Sequence, residues 1–466
     1  MFLIMSNKLV APVETHHRAL KLRIYPSTEQ KVLIEKTFGC VRQIYNNRLY
    51  ERNQFYENVI KPAQPEEHKA LWKTAHFSSE KEMKVKFPYL AEVSSQALCS
   101  ATMFAEAAYK NFFASVKGTR AGTQVGKPKF KSRKSHDFSY RECMNIALIW
   151  NERKIKVPKL GLVKFRHSGN KKGKLDFFLR GEVELKSITI RKNPANEYYA
   201  VLLFEREYCH KQKVYEGGES QAIGLDFSPA DFYIDSDGQS GKDFGYVAQK
   251  QKNLKKLTKL QRRLARKQVG SNNREKARVK VARIEHYIAE CRNDWIEKET
   301  KRLVSSYQII GIEDLNLKGM MKFSRNAKNY GDASWGNFTN KLMWKSSLNE
   351  NNCQVIKADR FFASSQICHC CGFKNPITKN LAIRSWICPE CGADHIRDVN
   401  AAINLKENAI KTVGQGVSEF RSVEGVEDLA TLALQIGASE ETENLAGDGL
   451  NVLTEIVKKS AVPNTP

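Results

Sequence analysis

Four cysteines stand in two pairs, Cys368-x2-Cys371 and Cys388-x2-Cys391, with sixteen residues between the pairs and a glycine after each (Gly372, Gly392). Two such knuckles set four thiolates tetrahedrally around one zinc ion, and the glycines free backbone N–H groups to bend toward sulfur. Four protein thiolates leave no open position for water, so the zinc expected here is structural. Doubling of the pair argues against a redox motif. His369 and Cys370 are spare donors to which the spacing assigns no role.

Three carboxylates are candidates for a second metal site: Asp226 in QAIGLDFSPADFYIDSDGQ, Glu313 in SYQIIGIEDLNLKGM and Asp398 in CPECGADHIRDVNAAINL. Each follows an apolar strand-like run or opens a helix-like one, near a sheet edge. Mg²⁺ is commonly held by a few carboxylates with water and phosphate oxygens. Taken singly, Asp226 reads as a turn acid, Glu313 as a surface acid beside Asp314, and Asp398 as a helix N-cap.

The elements that would position these groups can be read from the periodicity. RALKLRIYP (18–26) alternates apolar and basic residues as a half-buried strand does. Ser27 and Gln30 then form a capping box, and Val32, Leu33, Phe38, Val41, Ile44 and Tyr45 give a helical stripe. The pattern stays helical to about residue 115, with aromatics assigned mainly to core packing. Five of residues 127–134 are Lys or Arg, which reads as a phosphate-contacting loop or a solvated linker. Alternating runs at 146–166 and 185–207, the second around an Asn193–Asn196 turn, predict a small antiparallel β domain over 117–215. A long helical pattern over 250–304, broken at 270–273, carries eighteen basic and six acidic side chains. It reads as a hairpin forming one wall of a nucleic-acid channel.

Charge points the same way. The 466 residues carry a net +25, and residues 406–466 hold five basic against ten acidic groups, leaving +30 on residues 1–405. Such an excess predicts a polyanionic partner, nucleic acid foremost. No run of about 18 apolar residues occurs, and the apolar part of MFLIMSNK is short for a secretory signal, so the expected location is cytoplasmic, at the nucleoid when bound to DNA.

Taken in order, GLDFSPADFYIDSDG, IGIEDLNLKGM, the doubled Cys-x-x-Cys and RDVNAAINL closely resemble the nuclease core of the insertion-sequence-encoded TnpB (OrfB) family, relatives of type V CRISPR effectors. LKLRIYPSTEQKVLIEKTFGCVRQIYN, GKPKFKS and RFFASSQICHCCG extend the resemblance over residues 18–425. It implies an α/β multidomain protein: a RuvC-type, RNase H-like nuclease with an inserted zinc ribbon, preceded by a β-barrel wedge domain carrying a helical recognition insertion. The implied segments are a first wedge strand (1–26), recognition helices (27–116), the wedge barrel (117–218), a nuclease core (219–361) including the hairpin, the ribbon (362–394), a last core segment (395–410) and a flexible tail (411–466). The catalytic acids would be Asp226, Glu313 and Asp398, holding two Mg²⁺ ions about 3.5–4 Å apart, while Cys368, Cys371, Cys388 and Cys391 would hold one Zn²⁺. The implied partners are a guide RNA from the transposon end and a double-stranded DNA target, with a monomer favoured.

Two departures from the family pattern stand out: Phe227-Ser228-Pro229 where many relatives have a glycine, and Ile396 where an aspartate is frequent. Two other function classes compete with the nuclease. A non-cutting RNA-guided repressor usually lacks one of the acids, and all three are present. A strand-transfer transposase of the tyrosine type needs a His-hydrophobic-His motif, which is missing from the sequence.

Overall fold

The computed structural model describes residues 13–120, 124–136, 138–166, 183–209, 221–241, 244–323, 331, 334–348, 353–380 and 382–423. Two compact units divide the chain, with boundaries at 214/215, 242/243 and 299/300.

The first unit opens with β1 (Val13–Tyr25) and α1 (Thr28–Phe55). The helix starts where expected: Ser27 Oγ accepts from the Gln30 N–H at 3.2 Å and Gln30 Oε1 accepts from the Ser27 N–H at 3.0 Å. Helices α2 (His68–Thr74), α3 (Glu80–Lys86) and α4 (Ser95–Val116) follow. Strands β2 (Phe138–Glu142), β3 (Ala147–Ile149), β4 (Lys154–Val157), β5 (Gly161–Arg166), β6 (Glu184–Lys192) and β7 (Tyr198–Cys209) complete a seven-stranded sheet, ordered β2-β6-β7-β1-β5-β4-β3. Every pairing in it is antiparallel, and β1 lies between β7 and β5. Leu22, Ile155, Ile188, Ile190 and Leu202 from the strands form one buried cluster with Ile34, Phe38, Ile44 and Leu98 from α1 and α4. The helical stripe is corrected at Val32, which is exposed. Tyr50 and Tyr56 are exposed as well, so core packing accounts for Tyr45 but not for these two.

The basic loop after α4 is pinned to α1. Asn46 donates to the Lys131 carbonyl at 3.0 Å and accepts from its N–H at 2.8 Å, while Lys131 Nζ sits 4.1 Å from the centre of the Tyr45 ring.

Residues 250–304 form the expected hairpin of α5 (Phe244–Ala265) and α6 (Asn272–Ser306). Residues 243–299 group with the first unit rather than with the segments on either side. The reason lies in α6: Arg278 donates to the Pro194 carbonyl at 2.8 Å, Glu290 pairs with Lys21 at 3.0 Å, and His286 lies 3.0 Å from the Tyr199 hydroxyl.

The second unit is built on β8 (Ala222–Ser228), β9 (Phe232–Asp235), β10 (Ile309–Ile312) and β11 (Gln354–Lys357), ordered β11-β10-β8-β9. The β11, β10 and β8 strands are parallel and β9 returns antiparallel to β8. Helices α7 (Leu317–Phe323) and α8 (Trp335–Leu348) precede β11, and the two-stranded ribbon β12 (Ser385–Ile387) and β13 (Asp394–Ile396) runs directly into α9 (Arg397–Val423).

Helix α9 lies on the sheet at backbone contact. Gly224 and Gly311 face each other across β8 and β10. A Cβ added to Gly224 would stand 1.8 Å from the Ala402 carbonyl oxygen, and one on Gly311 would stand 2.2 Å from that of Leu405. Only glycine permits so close an approach. The helix also runs past residue 410, where the last core segment was expected to stop: Val413 is buried with Ala222, Ile309 and Ala409. The stretch after residue 423, including the apolar LATLALQIG, lies outside the described residues.

Candidate carboxylate and zinc site

Asp226 and Glu313 come from the two central strands, not from a sheet edge. Leu225 pairs with Ile312, so the acids that follow them in β8 and after β10 stand side by side. Asp398 arrives from the first turn of α9, one residue inside the helix rather than at its cap, where a carboxylate favourably meets the positive end of the helix dipole. All three carboxyl groups are half-buried. Burial, then the charges of Glu313 and Asp398, push the Asp226 carboxyl well above the usual range, against the pull of Arg397 and Arg384. The Glu313 carboxyl is also raised, chiefly by burial, while a Ser364 hydrogen bond and Arg397 draw it down. The three acids therefore share one electrostatic site. Their spacing is wider than that of the cysteines: among the described residues, the groups of three or more donors lying within 4.8 Å of one another are made of thiols and an imidazole.

The neighbour of Glu313 does something different. Asp314 turns to Arg360 at 2.8 Å and to Lys357 at 3.9 Å, whereas Glu313 accepts from Ser364 Oγ at 2.6 Å. The surface acid of this pair is Asp314.

Spacing alone pointed to the four cysteines, and the structure gathers them. Cys368 and Cys391 sulfurs are 3.6 Å apart, as are those of Cys371 and Cys388. Tetrahedral zinc with bonds of about 2.3 Å requires sulfurs about 3.8 Å apart, so the donor set fits that ion. Gly372 and Gly392 take φ of +78° and +72°, which lets each knuckle turn back so that its glycine N–H reaches the first cysteine's carbonyl at 2.9 Å.

Residues not singled out in the sequence join ribbon and acids. Asn400 and Asn404, one helical turn apart in α9, donate to the Ile367 carbonyl at 2.7 Å, and Asn404 also holds the Ser364 carbonyl at 2.8 Å. Asn400 Oδ1 accepts from the His369 N–H at 3.1 Å, which gives that spare residue a docking role. Arg384 of the ribbon reaches Asp398 at 3.3 Å, and Arg397 is buried beside Ser365. The i, i+4 asparagines in RDVNAAIN were a readable signal; nothing in the sequence pointed to Ser364.

These features define a class: a mixed α/β protein in which one helix carries both an acid of a three-carboxylate group and the anchorage of a two-knuckle cysteine ribbon. Comparison with known proteins makes the class specific. Residues 335–405 match the family model "Cas12f1-like, TNB domain", 207–324 match "Probable transposase" of the OrfB/IS605 group, and 16–61 match its "Helix-turn-helix domain". A Streptomyces pristinaespiralis protein named "Putative RNA-guided DNA endonuclease" is 30% identical over 393 residues, 83% of this chain and 88% of its own. InsQ of Escherichia coli K12, similarly named, is 28% identical over 305 residues, 66% and 68% of the two chains. The chain belongs to the OrfB (TnpB) family of insertion-sequence-encoded proteins. A solved Cas12f1–sgRNA–target DNA complex superposes over 84% of this chain and 99% of its own at a TM-score of 0.42 with 13% identity, too loosely to argue from. Within 16–61 the structure has a strand and one long helix, continued by a π-helical turn at Tyr56–Ile60. No helix among the described residues is long and apolar enough to cross a membrane.

Proposed function

We propose that the chain is an RNA-guided, Mg²⁺-dependent DNA endonuclease encoded by a transposon, cutting DNA that matches its guide RNA beside a short target-adjacent motif. The observation that carries this reading is the convergence of Asp226, Glu313 and Asp398, where burial first and then the charge of neighbouring acids raise the first two. A cation relieves the repulsion among the acids, and an all-oxygen donor set suits a hard ion such as Mg²⁺. When bound, a pair of such ions activates water and stabilises the leaving 3′ oxygen. The protein's own part is positional. Ser364 orients Glu313, the helix start steadies Asp398, and Arg397 offsets the acids' charge.

In this reading the β8–β11 sheet with α9 is the RuvC-type core and the cysteine ribbon is its insertion, holding one structural Zn²⁺. The seven-stranded sheet is the wedge barrel, and α1–α4 form the recognition insertion. The relatives' names and the charge of residues 250–304 support a guide RNA and a DNA target as partners.

The test is co-expression with the DNA flanking the gene's 3′ end, sequencing of the bound RNA, and cleavage of a matched duplex in Mg²⁺ with Asp226→Ala as control. RNA-dependent cutting that the substitution abolishes is the expected result. Guide-dependent binding without cutting would replace the nuclease with an RNA-guided repressor.

A further inference from the structure

The geometry points to a role for His395 in the ribbon: its Nε2–H donates a hydrogen bond to the Cys368 sulfur and so slows release of the zinc. Nε2 lies 3.0 Å from that sulfur, in a position where both residues are buried. The ring is held there from two sides. His395 stands opposite Trp386 in the β12–β13 pairing with ring centres 4.6 Å apart, and the His369 ring meets it at 4.8 Å and 69°. Nδ1 is buried with no hydrogen-bond partner. A neutral imidazole carries one N–H, and placing it on Nε2 gives it the sulfur as acceptor, whereas Nδ1–H would be left unpaired in the interior.

The ribbon needs such a donor. Four thiolates around Zn²⁺ leave a net charge of about −2, and Cys368 and Cys388 cluster with Trp386, Phe373 and Ile383, apolar surroundings that stabilise charge poorly. Donors around a metal's ligands commonly change affinity by about 10- to 100-fold.

Two rival arrangements use the same atoms. Cys368, Cys370 and His395 have donor atoms within 4.8 Å of one another, so His395 could instead ligate the zinc or join Cys370 around a second ion. The four-sulfur set is complete without either, and Cys370 is exposed where the other two are buried. The inference concerns the ribbon alone and holds whether or not the chain cuts DNA.

Full-length protein loaded with Co²⁺ tests it through metal count, absorption spectrum and release rate to a chelator. The expected result is one cobalt per chain in the ribbon with a tetrathiolate spectrum. His395→Phe should keep that spectrum and release the metal about tenfold faster, while His395→Gln, which retains an N–H, should lie between. A three-sulfur, one-nitrogen spectrum in the unsubstituted protein, a second cobalt lost on Cys370→Ser, or unchanged release from His395→Gln and His395→Phe would each overturn it. Should His395→Phe not fold, the unsubstituted spectrum and the Gln variant still decide.

Discussion

The two sheets of this molecule are built on opposite bargains. In the seven-stranded sheet, β-branched and large apolar side chains fill the space under α1 and α4, and stability comes from the area they remove from water. In the four-stranded sheet the facing positions under α9 are Gly224 and Gly311, which give up side-chain burial so that a helix can touch two strands. That closeness brings Asp398 to Asp226 and Glu313. The carboxyl groups show the same division. Glu142 in β2 is fully buried, and burial alone lifts it to about 7 against a Ser94 hydrogen bond. Asp226 and Glu313 are raised by burial together with other acids. A carboxyl raised by burial alone is a packing matter, whereas carboxyls that raise one another mark a place prepared for a cation.

The largest expected effect separates function from stability in the second sheet. Asp226→Asn should lower guided cleavage by on the order of 10³-fold, about 4 kcal/mol, and yet raise the melting temperature in Mg²⁺-free buffer. The sign follows from linkage. A folded-state pKa above the unfolded value gives stability at low pH that is lost as pH rises through it, so removing the ionisable group should help more at pH 8 than at pH 5. A variant that loses both activity and stability would make Asp226 a structural acid.

The glycines come next. Gly224→Ala or Gly311→Ala forces a methyl into a helix carbonyl and should cost about 3 kcal/mol or more, seen as faster hydrogen exchange in β8, β10 and α9 with the seven-stranded sheet unaffected. Leu202→Ala, a cavity mutation of about 2–5 kcal/mol, should give the reverse pattern. Exchange that rises in both sheets for either variant would show that the two units unfold together.

Much of this architecture was legible in the sequence, and what was legible has a common cause. The cysteine spacing, the Ser27–Gln30 box, the Asn193–Asn196 turn and the apolar strand runs leading to Asp226 and Glu313 are local signals, written within a few residues of where they act. What escaped depends on contacts distant in sequence. Ser364 reaches Glu313 across 51 positions, Arg278 reaches Pro194 across 84, and the glycine pairing of β8 with β10 spans the whole hairpin. As an N-cap, Asp398 was misplaced by two residues for a local reason: β13 feeds α9 without a loop, so the helix begins at Arg397, before the acid.

Glu142 supplies a smaller effect in the first sheet. Its carboxyl stays neutral in the fold up to about 7, whereas in the unfolded chain it ionises near 4.5, so stability should fall between pH 4.5 and 8. Glu142→Gln should flatten that fall, by roughly 2–3 kcal/mol for a shift of this size, in denaturant midpoints measured at the two pH values. An equal slope in both proteins would remove burial of Glu142 from the account.

The finest test compares two serine hydroxyls that make the same bond in different places. Ser94 donates to Glu142 at 2.9 Å and Ser364 donates to Glu313 at 2.6 Å. Each bond favours the ionised carboxylate, so Ser→Ala at either position should raise the partner's pKa further. The readouts must differ if the two carboxyls have different purposes. Ser94→Ala should move the pH at which the fall in stability levels off, toward higher pH, and leave cleavage alone. Ser364→Ala should shift the acid limb of the cleavage–pH profile upward, slowing cutting about 3- to 10-fold at pH 6 and much less at pH 8. The loop itself should persist, because Asn404 still holds the Ser364 carbonyl at 2.8 Å. A uniform loss across pH would mean that Ser364 positions the loop rather than the charge on Glu313, and Asn404→Ala should then reproduce it.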